Sequence, residues 1–377
     1  MKQEQIQFEN IFRDKVVLIT GHTGFKGSWL SLWLTSLGAK VVGISKDIPT
    51  EPSHFKETGL DGMVRDIRED LRHEGAITKL VCDVNPDFVF HLAAQALVKE
   101  SYRNPLLTYS TNIIGTANLL NALRSINKKC VAVLITSDKC YKNLEWVWGY
   151  RETDSLGGKD PYSASKASAE LVIRSFIDSF FGSTQVSDIR IGIGRAGNVV
   201  GGGDWSLDRL VPDCVKSWAQ GKEVGIRSPE STRPWQHVLE PLSGYLQLAA
   251  TLSSQKELHG EAFNFGPKSD NVNPVRAVLN ELARHWDKAK WVDESGGAHE
   301  HEAGLLKLNC DKALALLDWQ ATLEFDETIE MTANWYRAFY SRDHQSIVDT
   351  SREQIQSYCN LARQRGSSWA NQILKPA

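Results

Sequence analysis

The sequence predicts an α/β protein in which a doubly wound parallel sheet is joined to a smaller mixed α/β lobe. Up to residue 194, short apolar runs alternate with amphipathic stretches, which is the pattern of alternating strands and helices. The runs are apolar at consecutive positions, as expected for parallel strands that helices cover on both faces. After about residue 195 the alternation loosens, and short strands with glycine-rich turns predict a smaller lobe.

Five apolar runs are the predicted strands of the sheet: residues 15–20, 40–45, 88–94, 131–137 and 189–194. Helices are predicted between them, and residues 25–37 and 104–126 are the clearest. The second helix begins with Asn104 as an N-cap and Pro105 at the first helical position, where the missing N–H of proline costs no hydrogen bond.

The turn between the first strand and the first helix carries three regularly spaced glycines in the sequence KVVLITGHTGFKGSWL. Gly21 permits a tight turn, Gly24 lets a pyrophosphate approach the backbone, and Gly27 allows close packing of the helix. Free N–H groups at the N-terminus of that helix favour the phosphates of a dinucleotide. The predicted cofactor contacts in this turn are Gly21, Thr23, Gly24, Phe25, Lys26 and Gly27.

This turn makes residues 1–194 a predicted dinucleotide-binding domain, and residues 195–377 a predicted substrate-binding lobe with C-terminal helices. A helix near residues 240–252 is expected to return to the first domain. The short strand at residues 262–265 is assigned to the smaller lobe.

Composition and charge exclude several classes of protein. The 43 basic and 46 acidic residues give a formal charge of -3, which argues against a general binder of nucleic acid or membrane surfaces. No apolar run reaches the length of about 18 residues that a transmembrane helix needs, and the N-terminus lacks a signal-peptide pattern. The six cysteines show no C-x-x-C spacing, so we expect no disulfide framework, no metal site and a cytoplasmic location.

A tyrosine and a lysine lie four residues apart in the sequence YSASK. Asp160 is a suitable N-cap and Pro161 a suitable first residue, so a helix is predicted to begin here, with Tyr162 and Lys166 on one face. A tyrosine with the ordinary pKa of about 10 is a poor base at neutral pH. The lysine ammonium and an oxidised nicotinamide are expected to lower the pKa of Tyr162, so the pair predicts a site of hydride transfer.

Polar side chains occupy the end of the fifth strand. Thr136, Ser137, Asp138 and Lys139 lie where a strand of a doubly wound sheet opens into the active crevice. A surface turn that carries two opposite charges is the alternative. Residues 143–159 then form a predicted loop that is long enough to act as a lid, and an ordinary surface loop is the alternative.

The G-x-x-G-x-x-G spacing resembles the extended short-chain dehydrogenase/reductase superfamily, which has a Rossmann-type fold. That superfamily places an Asp-Ile pair against the adenine and a Leu-Ala-Ala run beneath the cofactor. The further cofactor contacts implied are Ser45, Asp66, Ile67, Leu92, Ala93, Ala94, Thr136, Tyr162 and Lys166. NAD is the predicted cofactor, but NADP stays open, because Lys46 suits a 2′-phosphate and Asp47 a 2′-hydroxyl.

Later motifs resemble the nucleotide-sugar 4,6-dehydratases of that superfamily. Where that family has a T-D-E triplet, this chain has Ser137-Asp138-Lys139, and the segments NIIGT, GRAGNVVGGGDW and HEAGLLKLNCDKA also resemble its motifs. The resemblance covers roughly residues 13–340. Lysine at position 139, together with the wording SDKCY and RPWQHV, is similar to the members that act on CDP-glucose.

This resemblance implies an NAD-dependent lyase that removes water from CDP-glucose while one tightly bound cofactor accepts and returns a hydride. It implies that Tyr162 takes the proton of the 4-hydroxyl, that Ser137 polarises the 4-oxygen, and that Asp138 protonates the departing 6-hydroxyl. Lys139 would remove the C5 proton, provided that desolvation and a second cation lower its pKa. The implied substrate contacts are Gln95, Asn198, Arg209, Arg233 and His301.

The resemblance also implies a homodimer, or a dimer of dimers, through a four-helix interface formed by residues 104–126 and 161–178. Three other functions stay open: a dehydratase for a dTDP- or GDP-sugar, a 4-epimerase of the same fold, and a non-catalytic cofactor sensor. An epimerase needs no acid and base beside Tyr162, so Asp138 and Lys139 argue against it. The intact Tyr162–Lys166 pair argues against the sensor.

Overall fold

A computed structural model describes residues 7–182, 188–268, 273–287, 289–295, 305–341 and 346–370. The strands are β1 (Val16–Thr20), β2 (Lys40–Ser45), β3 (Arg65–Arg68), β4 (Phe88–His91), β5 (Cys130–Ile135), β6 (Ile189–Ala196), β7 (Val199–Val200), β8 (Val224–Ile226), β9 (Thr232–Arg233), β10 (Gln236–His237), β11 (Ala262–Phe265), β12 (Asn273–Pro274) and β13 (Trp291–Asp293). The α-helices are α1 (Phe25–Ser36), α2 (His54–Glu57), α3 (Glu74–Val84), α4 (Val98–Arg103), α5 (Pro105–Tyr109), α6 (Gly115–Leu123), α7 (Pro161–Phe176), α8 (Leu210–Ala219), α9 (Leu239–Ser254), α10 (Val275–Arg284), α11 (Asp311–Leu317), α12 (Phe325–Ser341) and α13 (Ile347–Gln364).

The centre of the molecule is a seven-stranded sheet in the order β3-β2-β1-β4-β5-β6-β11. All neighbouring strands in it are parallel. The chain winds outward from β1 in one direction and from β4 in the other, so the strand order changes direction between them. A crevice for ligands is expected outside the carboxyl ends of the strands at this point. The predicted α/β fold with a doubly wound, Rossmann-type sheet is confirmed.

The central strands of the sheet are apolar at consecutive positions, so apolar side chains point to both faces of the sheet. Helices cover both of these faces. Val17 and Ile19 belong to the core that contains α1 and α9. Leu18, which points to the opposite face, belongs to the core that contains α3, α6 and α7. The strands whose carboxyl ends border the crevice are therefore packed against helices on both faces.

Two strands differ from the sequence predictions. Residues 65–68 form β3, an edge strand that is not among the predicted strands, because three of its four residues are charged and none of the four is buried. Residues 262–265, which were assigned to the smaller lobe, form β11 beside β6 in the main sheet. The returning helix predicted near residues 240–252 is α9, which packs on β5 and β6 and carries the chain back to the sheet.

The predicted helix 104–126 is not continuous. It consists of α5, a π-helical turn over Ser110–Ile114, and α6. Pro105 is the first helical residue as predicted, but Asn104 makes no side-chain cap, and its amide donates instead to the carboxylate of Glu100.

The remaining strands form three short pairs, β7 with β10, β8 with β13, and β9 with β12. Their neighbouring helices α8 and α10 place Val211, Cys214, Val278 and Leu279 in the same core as α1 and α9. This region therefore packs continuously against the main sheet, and the predicted domain boundary at residue 194 stays a prediction. Among the described residues, no helix is both long and apolar enough to cross a membrane.

Candidate active site

The turn after β1 is shaped by two close backbone approaches. Gly21 has φ +77°, a left-handed conformation that favours glycine. A Cβ at Gly21 would lie 2.7 Å from Ala93 N, and a Cβ at Gly27 would lie 2.0 Å from Gly21 O. A Cβ at Gly24 would meet Gly21 O at 3.4 Å, which is an ordinary contact. Packing thus requires glycine at positions 21 and 27, and the approach of a pyrophosphate to Gly24 stays a prediction.

A buried histidine links two of the predicted cofactor contacts. His22 Nδ1 lies 2.9 Å from Ser45 Oγ, at the end of β2, and His22 Nε2 lies 2.9 Å from Asp66 Oδ1 on β3. Burial lowers the pKa of His22, so the neutral ring donates from Nε2 to the carboxylate and accepts from the serine hydroxyl. Arg68 Nη2 donates to the other oxygen of Asp66 at 2.6 Å. Sequence reasoning missed His22, although it lies inside the glycine motif.

The remaining predicted cofactor contacts surround the same turn. Thr23 Oγ1 donates to Asp47 O at 2.6 Å, whereas the side chains of Lys46 and Asp47 are exposed. The choice between NAD and NADP therefore stays open. Leu92, Ala93 and Ala94 follow β4 directly and are partly exposed at the crevice, and Ile67 lies within β3.

The polar residues after β5 form a compact, hydrogen-bonded group. Ser137 Oγ donates to Asp138 Oδ1 at 2.9 Å and accepts from Lys139 N at 3.2 Å. Asp138 is only 4% exposed, and a Cβ at Gly197 would lie 2.9 Å from its Oδ2, so the end of β6 presses against the carboxyl group. Burial raises the pKa of Asp138, against the charges of Lys139 and Lys26. The acid role implied for Asp138 requires this direction of shift.

The predicted helix with Tyr162 and Lys166 is α7. Asp160 Oδ1 accepts from Ser163 N at 2.9 Å as the N-cap, and Pro161 is the first residue, as predicted. Tyr162 and Lys166 are 8% and 7% exposed, and Lys166 Nζ lies 3.5 Å from Ile135 O at the end of β5. The pair therefore faces the polar group that follows β5.

The pKa of Tyr162 is set by burial and by the polar and charged groups around it. Burial raises it to about 12, although a hydrogen bond with Ser137 and the charge of Arg209 act in the opposite direction. Burial lowers the pKa of Lys166 to about 8, against the charge of Glu170. The loss of hydration thus dominates the effect of neighbouring charges in this site. The lowering expected from an oxidised nicotinamide stays a prediction.

Two further cations approach the Tyr162 site from other elements. Burial lowers the pKa of Lys26, on α1, to about 8, and the charges of Arg209, Asp138 and Lys166 also act on it. Arg209 Nη1 donates to Asp204 Oδ2 at 2.7 Å. Arg209, predicted to bind the substrate, therefore lies near Tyr162. Lys26, predicted as a cofactor contact in the glycine turn, also lies close enough to Asp138 and Lys166 to interact with their charges.

The other residues predicted to bind the substrate lie on separate segments of the chain. The side chain of Gln95 closes the loop after β4, since Nε2 donates to Leu97 O at 3.0 Å and Oε1 accepts from Leu97 N at 2.6 Å. Asn198 is partly exposed just beyond β6, and Arg233 lies on β9. His301 lies outside the described residues.

Two further residues near the site, Glu170 and Arg195, were not predicted from the sequence. Thr136 Oγ1, predicted to contact the cofactor, donates to Glu170 Oε1 at 2.6 Å, and Glu170 is paired with Arg195. Glu170 follows Lys166 by four residues on α7, and this same-face spacing was the available signal.

Among the described residues, no group of three or more His, Cys, Asp or Glu side chains could hold a metal ion.

The sheet order, the glycine turn and the buried Tyr162–Lys166 pair are the arrangement of the short-chain dehydrogenase/reductase class. A family model described as GDP-mannose 4,6 dehydratase matches residues 18–332. A CDP-glucose 4,6-dehydratase of Salmonella typhimurium is 44% identical over 92% of this chain and 96% of that protein. The chain therefore belongs to the nucleotide-sugar 4,6-dehydratase family.

More distant relatives share the fold. A CDP-paratose 2-epimerase of Salmonella typhi is 27% identical over 85% of this chain and 98% of that protein. Among solved structures, a UDP-glucose-4-epimerase of Stenotrophomonas maltophila with bound NAD is 20% identical, with a TM-score of 0.75 over 87% of this chain and 100% of that chain. An epimerase of Methanothermobacter thermautotrophicus is 22% identical, with a TM-score of 0.75 over 88% of this chain and 95% of that chain.

Proposed function

We propose that the protein converts CDP-glucose to CDP-4-keto-6-deoxyglucose and water. The observation that carries this proposal is the buried acid beside the oxidoreductase pair: Asp138, with a raised pKa, lies next to Ser137 and within electrostatic reach of Tyr162. An enzyme that only moves hydride does not need such an acid. The relative that is 44% identical over 96% of its length is named a CDP-glucose 4,6-dehydratase, which supports this substrate.

The residues around the turn suit NAD as the cofactor. When bound here, NAD would supply the reversible hydride chemistry that the reaction needs at C4 and C6 of the sugar. The close approach of Gly27 to Gly21 brings the N-terminus of α1 to the crevice, where the N–H groups of residues 25–27 would hold the pyrophosphate. Ser45 and Asp66 would face the adenosine half, and Lys166 the nicotinamide ribose. A solved structure of the same fold contains NAD, and NADP remains the alternative.

Tyr162 is the proposed base for the 4-hydroxyl of the sugar. Its phenol lies with Ser137 in a buried site, so a tyrosinate formed there would be a strong base, and the charges of Arg209 and Lys166 would stabilise it. Ser137 would donate a hydrogen bond to the 4-oxygen as the carbonyl forms.

Elimination of water then needs an acid and a base. Asp138 would donate its proton to the 6-hydroxyl as the C6–O bond breaks, because burial favours its protonated form. Lys139 would remove the C5 proton, and the electrons of that C–H bond form the C5–C6 double bond. When hydride then adds at C6, the protonated Lys139 would give a proton back to C5. Asp138 and Lys139 are adjacent in the chain, so from a single strand end they would reach the neighbouring carbons C6 and C5 of the sugar.

Cations and amides near this edge would hold the diphosphate and the sugar. Arg209 is fixed by Asp204, and its guanidinium can donate to two phosphate oxygens at once. Asn198 and Arg233 are the proposed partners on the other side of the crevice, and Gln95 would support the loop after β4 rather than bind through a free side chain.

Incubation of the protein and NAD with CDP-glucose tests the proposal directly. We expect a nucleotide sugar that is lighter by one water and carries a methyl group at C5. Equal incubations with dTDP-glucose, UDP-glucose and GDP-mannose are the controls. Turnover of one of these instead, or a 4-epimer of unchanged mass, would refute the proposed substrate or the proposed reaction.

Substitution of Lys139 by alanine tests the proposed base. Wild-type turnover in D₂O should place deuterium at C5, whereas Lys139→Ala should lose about 10²–10⁴-fold in rate, the usual contribution of a general base. Normal turnover with normal deuterium at C5 would show that another group removes this proton.

The exposed helices beside the site support a homodimer. Leu106 on α5 and Leu171 on α7 are 81% and 63% exposed, and Ile114 between α5 and α6 is 52% exposed. Large apolar side chains grouped on neighbouring helices are typical of an interface that another subunit covers. Light scattering of the purified protein would distinguish a monomer, a dimer and a dimer of dimers.

All six cysteines are free thiols, which supports the proposed cytoplasmic location.

A further inference from the structure

A buried ion pair lies behind the proposed catalytic groups. Arg195, on β6, donates through Nε to Glu170 Oε1 at 2.7 Å, and its Nη2 donates to the other oxygen of the same carboxylate. The two side chains are only 4% and 3% exposed. Thr136 Oγ1 also donates to Glu170 Oε1, at 2.6 Å. The pair therefore joins the end of β5 to α7 and β6.

The remaining nitrogen of Arg195 reaches the connecting segment, residues 141–160, which links the Ser137–Lys139 triplet to α7. Arg195 Nη1 donates to Tyr141 Oη at 2.7 Å and to Glu152 O at 3.0 Å. Tyr141 Oη donates in turn to Asn264 Oδ1 at 2.7 Å, and Asn264 N donates to Glu152 Oε1 at 2.8 Å. Asn264 Nδ2 also donates to Tyr150 O at 2.9 Å, so the connecting segment is tied to β6 and β11 at three residues.

The energetics of such a pair favour a geometric role. Desolvation of two buried charges offsets most of their attraction, so an ion pair stabilises a fold no better than apolar residues of similar volume. A guanidinium, however, carries five donors in a planar fork and here engages a carboxylate, a phenol and a backbone carbonyl together. Neither lysine nor an apolar side chain can replace these contacts at once.

We propose that Glu170 and Arg195 are positioning residues that hold the Ser137–Lys139 triplet, the Tyr162–Lys166 pair and the connecting segment in one arrangement. Both are buried behind the crevice and act through Thr136, Tyr141 and Glu152 rather than on the substrate. The activity part of this inference rests on the proposed function, but the ordering of the connecting segment does not.

Arg195→Ala removes the fork and leaves a guanidinium-sized cavity. We expect turnover of CDP-glucose to fall about 100-fold, as for a small misplacement of reacting groups. Amide hydrogen exchange in residues 141–160 should accelerate, while exchange in the central strands stays slow. Millimolar guanidinium should restore both turnover and protection, and NaCl of the same ionic strength should restore neither.

The double variant Glu170→Gln/Arg195→Met separates positioning from stability. It removes both charges at similar volume, so its melting temperature should stay close to that of the wild type. Positioning predicts that this folded variant still has low turnover and fast exchange in the connecting segment. Normal turnover and normal protection in it would overturn the proposal, even if Arg195→Ala does not fold. If the wild type does not act on CDP-glucose, the proposed function fails, and the exchange measurements still decide the positioning role.

Discussion

The turn after β1 and the polar end of β5 lie at the same edge of the sheet, but they are built in different ways. The turn depends on backbone atoms in close approach, since a Cβ at Gly27 would lie 2.0 Å from Gly21 O. The end of β5 depends on side chains, since Ser137, Asp138 and Tyr162 meet there through hydrogen bonds and charge. A substitution at Gly21 or Gly27 should therefore act through packing, whereas one at the end of β5 should alter chemistry in an intact fold.

Two buried carboxyl groups near β5, those of Glu170 and Asp138, also have different surroundings and different proposed roles. Glu170 has an arginine in direct contact, and this pair connects three elements of the fold. Asp138 has a hydroxyl as its hydrogen-bond partner, and burial raises its pKa. Burial thus favours the protonated form of Asp138, as its proposed role as an acid requires, whereas Glu170 is half of an ion pair.

Tyr162→Phe should have the largest effect on activity and the clearest separation of chemistry from folding. Loss of the phenol removes the proposed base, so we expect turnover to fall about 10²–10⁴-fold while the melting temperature changes little. Tyr102→Phe is the matched control, because Tyr102 is 65% exposed. Wild-type turnover by Tyr162→Phe would remove the tyrosine from the proposed mechanism.

Gly27→Ala should destabilise the fold, because the new methyl group meets the Gly21 carbonyl. Overpacking of this kind costs about 1–3 kcal/mol, which denaturant or thermal unfolding measures. Gly24→Ala is the control within the same turn, since its Cβ would be in ordinary contact at 3.4 Å. We expect Gly24→Ala to keep its stability but to bind NAD more weakly in a titration. Equal stability of the two variants would contradict the close approach at Gly27.

The smallest expected effect is the contribution of Asp138 to the pH dependence of stability. Its pKa is raised in the folded state, so the folded protein holds a proton that the unfolded chain releases. This contribution is fully present below the unfolded pKa of about 3.9 and is lost as the pH rises through the folded pKa. Asp138→Asn lacks this titration, so its stability relative to the wild type should increase with pH. A difference that does not change with pH would show that the pKa of Asp138 is not raised.

Features that depend on neighbouring residues in the chain were predicted well from the sequence. The helix that begins at Pro161 with Asp160 as its cap, and the glycines at 21 and 27, follow from short-range sterics and hydrogen bonding. β3 was missed because its four residues are charged or partly exposed, so no apolar run marks it. β11 was assigned to the wrong region because its four buried residues do not specify which strand they will join.

The order of residues was sufficient for the alternating fold, the glycine turn after β1 and the tyrosine–lysine spacing, because each of these depends on a local repeat or a local backbone conformation. Three-dimensional packing alone brought Glu170, Arg195 and the connecting segment together behind β5, and the burial that it produces raises the pKa of Tyr162. Burial and contacts between distant segments depend on how the elements pack, and they control the pKa values of Asp138, Tyr162 and Lys166 at the proposed site.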